Sequence, residues 1–342
     1  DNWLCSLRYR YKLIENSDDN MSEYVKDGDG LNTPRMKMLG YRTEMGYVLG
    51  NYLLAHCTQN RYVFIFATTI LIYSLLFISI KKYAENYPFA LMLFMALWFF
   101  FTFTYLRQVI AATIGYLAVQ YVIDRKLWKF LIVVVIAFSF HNSAIILLPF
   151  YFVPLRKFPK NQVIIILGIC LLLGLTNVTT GLFDAYSEVT NDQERLAEYN
   201  NEGSFRLAYF VEAAFFLYFI FKNYAAIDNN DKRHLILMNM SIGFCAILLF
   251  FIRSENGGRL SWYYMIGVIS LLSYFAKRQL PTSSFGLTMS VVSLFLYIRI
   301  LLQWGSMLTP YKSFFTPGTR PNDPMVVTTE YDHNYDHNKF YK

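Results

Sequence analysis

Long uncharged apolar runs alternate with short polar joints along most of the chain. Residues 62–80, 87–106 and 161–183 contain no Asp, Glu, Lys or Arg. Each run approaches the ~20 residues needed to cross ~30 Å of hydrocarbon as a helix. The pattern predicts crossings near 62–80, 87–106, 108–123, 162–180, 205–221, 235–252, 260–276 and 285–308. Residues 44–57 are too short and too polar to span, and read as an interfacial or partly inserted helix. The predicted organisation is an external N-terminal segment (1–60), a transmembrane bundle (61–308) and a polar external tail (309–342). That tail is Pro-rich and holds a small repeat, Tyr331-Asp-His-Asn-Tyr335-Asp-His-Asn338. The chain starts at Asp1, and residues 1–7 read as the end of something cut short, so a signal peptide or first membrane helix is expected before them.

Basic residues predict the orientation. Lys81 and Lys82; Arg125, Lys126 and Lys129; Arg156, Lys157 and Lys160; Lys222, Lys232 and Arg233; and Lys277 and Arg278 form five loops with thirteen positive charges. The other boundaries carry five arginines, with an acidic loop over 184–202. This is a positive-inside asymmetry, provided that the five basic loops share one side. They share it only if residues 130–155 enter and leave on that side. About twelve residues on either side of His141-Asn142-Ser143 reach ~18 Å, enough for a re-entrant hairpin. One tilted 26-residue helix is the competing reading, and it would put three basic loops outside. The expected fold is therefore an all-α, polytopic integral membrane helix bundle. It has about nine to eleven membrane segments and a re-entrant hairpin at 130–155.

Composition agrees. Charged residues make up 16% of the 342, against ~25% in soluble chains, and 55% are hydrophobic. The net charge of +7 needs no nucleic acid, because the basic loops account for it. Cys5, Cys57, Cys170 and Cys245 show no metal-ligand spacing, and the last two lie in apolar runs, as buried structural thiols do.

Ionisable groups at membrane depth are costly and are functional candidates for that reason. Arg107, Arg253 and Arg259 stand at the ends of apolar runs. Glu212 and Arg299 fall inside crossings, roughly 10 Å below the outer ends. On the hairpin topology all five approach the external half of the membrane, and His141 at the hairpin tip points there too. A group of guanidinium forks suits a phosphate or diphosphate, since each donates several fixed hydrogen bonds and stays charged. The plainer alternatives are arginines reaching for lipid headgroups, a Glu212 that pairs with an arginine to hold helices together, and a His141 that caps a turn. No nucleotide-binding Gly-rich loop and no His-Glu-x-x-His motif occurs. His333 and His337 would chelate a metal only if helical, and a solvated tail is the simpler reading.

Leu106-Arg-Gln-Val-Ile-Ala-Ala112, the basic stretch Asp124-Arg-Lys-Leu-Trp-Lys129, and Ala137-Phe-Ser-Phe-His-Asn-Ser-Ala144 together carry a resemblance. The chain resembles the EpsG family, a branch of the Wzy-type bacterial exopolysaccharide and O-antigen polymerases. Glu44-Met-Gly-Tyr47, Gly258-Arg-Leu-Ser-Trp-Tyr-Tyr264 and Pro310-Tyr311 are similar to further features of that family. The likeness runs from about residue 8 to 313. One departure stands out: where the family has a Gly-Thr-Asp-type turn, this chain reads Asn16-Ser-Asp-Asp-Asn-Met-Ser-Glu-Tyr24, which leaves Asp18 and Asp19 without an assigned role.

The resemblance implies polymerisation of undecaprenyl-diphosphate-linked oligosaccharide repeat units at the outer face of a bacterial cytoplasmic (inner) membrane. The implied enzyme is a multi-pass membrane glycosyltransferase with a lipid-diphosphate-linked donor. On that reading the candidate diphosphate ligands are Arg107, Arg253, Arg259 and Arg299, with Gln108 and Tyr263 in the substrate-binding set and His141 or Glu212 as the catalytic base. Membrane lipids and a chain-length regulator are the further partners expected; no cofactor, metal or nucleic acid is. The alternatives are a flippase or transporter of lipid-linked oligosaccharides, and a glycan O-acyltransferase that uses His141.

Overall fold

A computed structural model of the chain describes residues 44–57, 61–176, 178–179, 181–182, 205–254 and 256–303. The acidic loop at 184–202, Asp18, Asp19, His333, His337 and the Pro310-Tyr311 pair lie outside the described residues. Among those described, the structure is helical throughout, with no β-strand. In chain order the α-helices are α1 (Met45–Cys57), α2 (Arg61–Tyr83), α3 (Tyr87–Leu97), α4 (Leu106–Ile123), α5 (Leu127–Phe140), α6 (Lys160–Gly174), α7 (Leu207–Lys222), α8 (Lys232–Phe250), α9 (Met265–Lys277) and α10 (Ser284–Gln303). Four of them (α2, α4, α8 and α10) are long and apolar enough to cross a membrane. Several shorter ones are extended by 3-10 segments: Phe99–Phe103 follows α3, and Gly257–Tyr264 precedes α9. The fold is the expected polytopic helix bundle.

The described residues divide into two compact units, residues 71–298 in one and α1, the start of α2 and the end of α10 in the other. In the smaller unit, α1 is a single 13-residue helix, ~20 Å long, with Met45, Leu49 and Leu53 exposed while Glu44 and Asn51 are buried. In the larger unit, α8 is the central rod and packs against α6, α7, α9 and Gly257–Tyr264. Helices α8 and α9 hold much of the buried core, whereas α6 exposes Ile164, Ile165, Ile169 and Leu172. An exposed apolar face of that kind suits lipid, where burial in protein is not required.

Local chemistry explains where the helices start and stop. Asn86 caps α3, its side chain accepting from the Phe89 N–H at 3.2 Å, and Pro88 follows in the first turn. Asp231 caps α8 by accepting from the Arg233 and His234 N–H groups at 3.0 and 3.2 Å. Helix α4 ends in a left-handed residue, Arg125, at φ 54°. There Lys126 N–H reaches the Tyr121 carbonyl and Arg125 N–H the Val122 carbonyl, the two bonds of a Schellman turn. That tight turn sends α5 back along α4, against which it packs.

Residues 130–155 form a hairpin. Helix α5 stops at His141, whose backbone is extended (φ −156°, ψ 126°), and a 3-10 segment, Asn142–Phe152, returns against α5. Fourteen residues of α-helix and eleven of 3-10 helix are both ~21–22 Å long, so the limbs match. Their open ends meet: the Arg125 guanidinium donates to the carbonyls of Tyr151 and Val153, the latter at 2.6 Å, and the Phe130 and Tyr151 rings lie 5.1 Å apart. A single spanning helix would hold those residues a membrane's width apart.

As a result the five basic loops gather on one face. Arg233 donates to the Lys82 carbonyl. Lys157 reaches the Ile227 carbonyl at 2.9 Å and Lys160 the Phe221 carbonyl at 3.0 Å. Arg278 stacks on Tyr274, whose hydroxyl donates to the Ala226 carbonyl. At the centre, Glu85 lies 3.0 Å from His234 Nε2 and 3.3 Å from Lys277 Nζ, while the other His234 ring nitrogen contacts Asp231. Partial burial pushes the Asp231 carboxyl up, but the N–H groups and ring of His234 and the Arg233 N–H outweigh this, leaving it below its ordinary range.

Candidate active site

The opposite end of the larger unit holds the candidate chemistry. Residue 106 begins α4, residue 140 ends α5, residue 207 begins α7 and residue 250 ends α8, so antiparallel packing brings these termini to one level. Between them lies a cleft of about 250 Å³. Its walls come from α3 and the turn after it (Leu97, Phe101, Tyr105), α7 (Tyr209, Glu212), α8 (Leu248), and the stretch from Asn256 to Met265 that includes Arg259 and Trp262.

The Gly257–Tyr264 segment is held in place by side chains from other elements. Tyr116 donates to the Trp262 carbonyl at 2.7 Å, and Tyr264 to the Ile146 carbonyl at 2.7 Å. Ser143 and Tyr263 share a hydroxyl–hydroxyl hydrogen bond of 2.9 Å. Gly258 is needed for close approach, since a Cβ there would overlap the Tyr209 ring. Gly257 likewise fits against the Phe251 and Ser254 side chains.

Among the predicted residues, Arg259 and Glu212 come together in the cleft wall. The Arg259 guanidinium lies 4.6 Å from the centre of the Tyr105 ring, a cation–π contact. Glu212 is half-buried on α7 and has no ion-pair partner among the described residues. Arg107 is half-buried in the first turn of α4, two residues beyond Tyr105. Gln108 is 2% exposed, and its side-chain amide donates to the Arg259 carbonyl at 3.0 Å. Tyr263 is fully buried against Ser143, away from the lining. His141 is half-buried at the tip of the hairpin and is not among the cleft-lining residues. Arg253 donates to the Leu175 carbonyl at 3.3 Å, at the C-terminal end of α6. Arg299 is exposed on α10 and belongs to the smaller unit.

Among the polar lining residues, Tyr105, Tyr209 and Asn256 escaped the sequence reading. Tyr105 and Tyr209 lie in or beside apolar runs already rich in aromatics, where one tyrosine gives no separate signal. Among the described residues no group of three or more His, Cys, Asp or Glu is placed to hold a metal.

Glu212 and Arg259 thus line one cleft with aromatic and aliphatic walls. A family model described as EpsG family matches residues 9–313. The chain belongs to the EpsG family. It is a multi-pass membrane protein of polysaccharide biosynthesis. No curated protein and no solved structure matches it.

Proposed function

We propose that this EpsG-family protein polymerises lipid-diphosphate-linked oligosaccharide repeat units, with undecaprenyl diphosphate as the carrier, at the external face of a bacterial cytoplasmic membrane. The observation that carries this reading is that Glu212 and Arg259 line one aromatic-walled cleft, on the end of the bundle away from the five basic loops. By the positive-inside rule those loops are cytoplasmic, so the cleft opens to the outer side.

In the reaction, the bond between the reducing-end sugar C1 and the diphosphate oxygen breaks, and C1 bonds to a hydroxyl oxygen of a second chain. Glu212 accepts the hydroxyl proton, and undecaprenyl diphosphate departs with the electron pair. Arg259 binds the diphosphate and stabilises the charge that grows on it as the bond breaks. The Tyr105, Trp262 and Phe101 rings give apolar faces to sugar rings, and Leu97, Leu248 and Met265 accommodate the start of the polyprenyl tail. A cleft of about 250 Å³ is below the ~300–1,000 Å³ of ordinary ligand pockets. It suits one sugar and its leaving group, with the rest of both glycans outside. Arg107 and Arg253 are second candidates for diphosphate contact, and His141 for the base.

The test uses purified full-length protein and a synthetic lipid-linked repeat unit, read on a gel. A ladder of longer glycans supports polymerisation, and an unchanged single band removes it in favour of transport. Glu212→Gln abolishes the ladder while lipid binding persists; an intact ladder takes Glu212 out of the role.

A further inference from the structure

We infer that Gln108 is a positioning residue for Arg259, setting the guanidinium in the cleft without itself touching substrate. The inference rests on the reading of Arg259 as the diphosphate-binding cation. Gln108 is 2% exposed and does not line the cleft, so contact with a bound substrate is closed to it. Its side-chain amide crosses from α4 to donate to the Arg259 carbonyl at 3.0 Å.

Local geometry makes that bond consequential. Within Gly257–Tyr264 the Gly258 carbonyl accepts from Ser261, the Arg259 carbonyl from Gln108 and the Trp262 carbonyl from Tyr116. Side chains, two of them from α4, thus take up carbonyls that a regular α-helix would satisfy itself. Arg259 is held at both ends from one stretch of chain, because Tyr105, just before α4, lies under the guanidinium and Gln108, in its first turn, grips the carbonyl. A free arginine side chain populates many rotamers, and holding it in one costs entropy. Fixing its root and its head beforehand is the preorganisation that stabilises developing charge. Without the Gln108 donor, a carbonyl in a buried segment loses its partner, and the segment shifts to recover one.

The experiment is a double-mutant cycle on the full chain. Gln108→Met keeps the side chain's length and removes the donor. It is expected to lower kcat/KM for the synthetic lipid-linked repeat unit by about 10- to 100-fold, with the apparent Tm near wild type. In an Arg259→Ala background the same change is expected to alter the rate less than about twofold, the non-additivity of residues that act as one. Additive losses, or a Gln108→Met enzyme as fast as wild type, overturn the inference. Should Gln108→Met fail to fold, Gln108→Asn, whose amide falls one methylene short, takes its place.

A second readout is independent of polymerisation. Phenylglyoxal modification of Arg259, followed by mass spectrometry, is expected to differ in rate between Gln108→Met and wild type; equal rates overturn the positioning role. If wild-type protein builds no ladder, the polymerase reading falls, and the positioning role still stands or falls on this measurement.

Discussion

Two glycines six positions apart on α6 should respond in opposite ways to the same substitution. Gly174 ends the helix against α8: a Cβ there would overlap the Leu249 carbonyl oxygen and lie 2.5 Å from the Phe250 carbonyl oxygen and 2.9 Å from its carbon. All three atoms are backbone, so no side chain can swing aside. To reach ordinary contact at 3.4 Å the Phe250 oxygen must retreat by about 0.9 Å, which means parting the ends of α6 and α8. Overpacking of this kind costs about 1–3 kcal/mol, and a rigid backbone contact belongs at the upper end. Gly168, on the same helix, has nothing within 4 Å of the added Cβ. Alanine there gains up to ~1 kcal/mol of helix propensity. At ~2–4 °C per kcal/mol, Gly174→Ala should lower the apparent Tm in detergent by about 6–12 °C, while Gly168→Ala holds it or raises it by a few degrees. Because α8 leads through Phe251 and Arg253 into the cleft wall, Gly174→Ala should also slow the reaction. Equal shifts in Tm for the two variants would refute the close approach of α6 and α8.

Gly258→Ala should separate activity from stability, because its Cβ meets the far end of the Tyr209 side chain, which can move; ladder formation is expected to fall at least about tenfold, with Tm within ~2 °C of wild type. Arg125→Ala removes both donors that close the base of the hairpin and leaves a left-handed backbone at an alanine, so the Tm should fall by about 2–6 °C, whereas Arg125→Gly, which relieves the backbone, should lose less. Acidification should test Asp231. Its folded carboxyl sits below the ordinary value, so its contribution is present above the unfolded pKa of ~3.9 and is lost as pH falls through the lower folded one. Wild-type Tm should therefore drop more than that of Asp231→Asn between pH 5 and pH 3, by a small margin given the 38% exposure of its side chain; parallel curves would count against the helix-cap contribution. Single cysteines at Lys82, Lys129, Lys157, Lys232 and Arg278 should all react with an impermeant thiol reagent from the same side of a sealed vesicle, and a split set would defeat the topology.

The hairpin was legible because charge, unlike hydropathy, has a side. Residues 130–155 are apolar enough to cross once, and only the requirement that Arg125 to Lys129 and Arg156 to Lys160 lie together bends them back. The breaks within crossings were not legible. The run at 87–106 is uniformly apolar, yet α3 ends at Leu97, and a 3-10 turn carries Phe99–Phe103 to the start of α4. Hydropathy measures what lipid tolerates and is blind to a change from α to 3-10 geometry inside an apolar run. The same applies at 260–276, where the helix proper starts at Met265 and four of the eight residues before it (Gly258, Arg259, Ser261 and Trp262) line the cleft.

The site was legible in kind and less so in membership. Counting cations near one membrane level singles out Arg107, Arg253, Arg259 and Arg299 alike, since depth is all that helix rise supplies. What distinguishes them is direction and neighbours, which come from tertiary contacts. Arg259 stands on an aromatic ring in the cleft that Glu212 also lines, whereas Arg253 caps the carbonyl end of α6, where a guanidinium also complements the helix dipole. Gln108, adjacent to Arg107 in sequence, works on Arg259, 151 positions away. The Arg-Gln step that carries the family resemblance therefore has a physical reason to be a pair. Its arginine begins a helix at the level of the cleft, and its glutamine fixes the segment that bears the cleft's own cation.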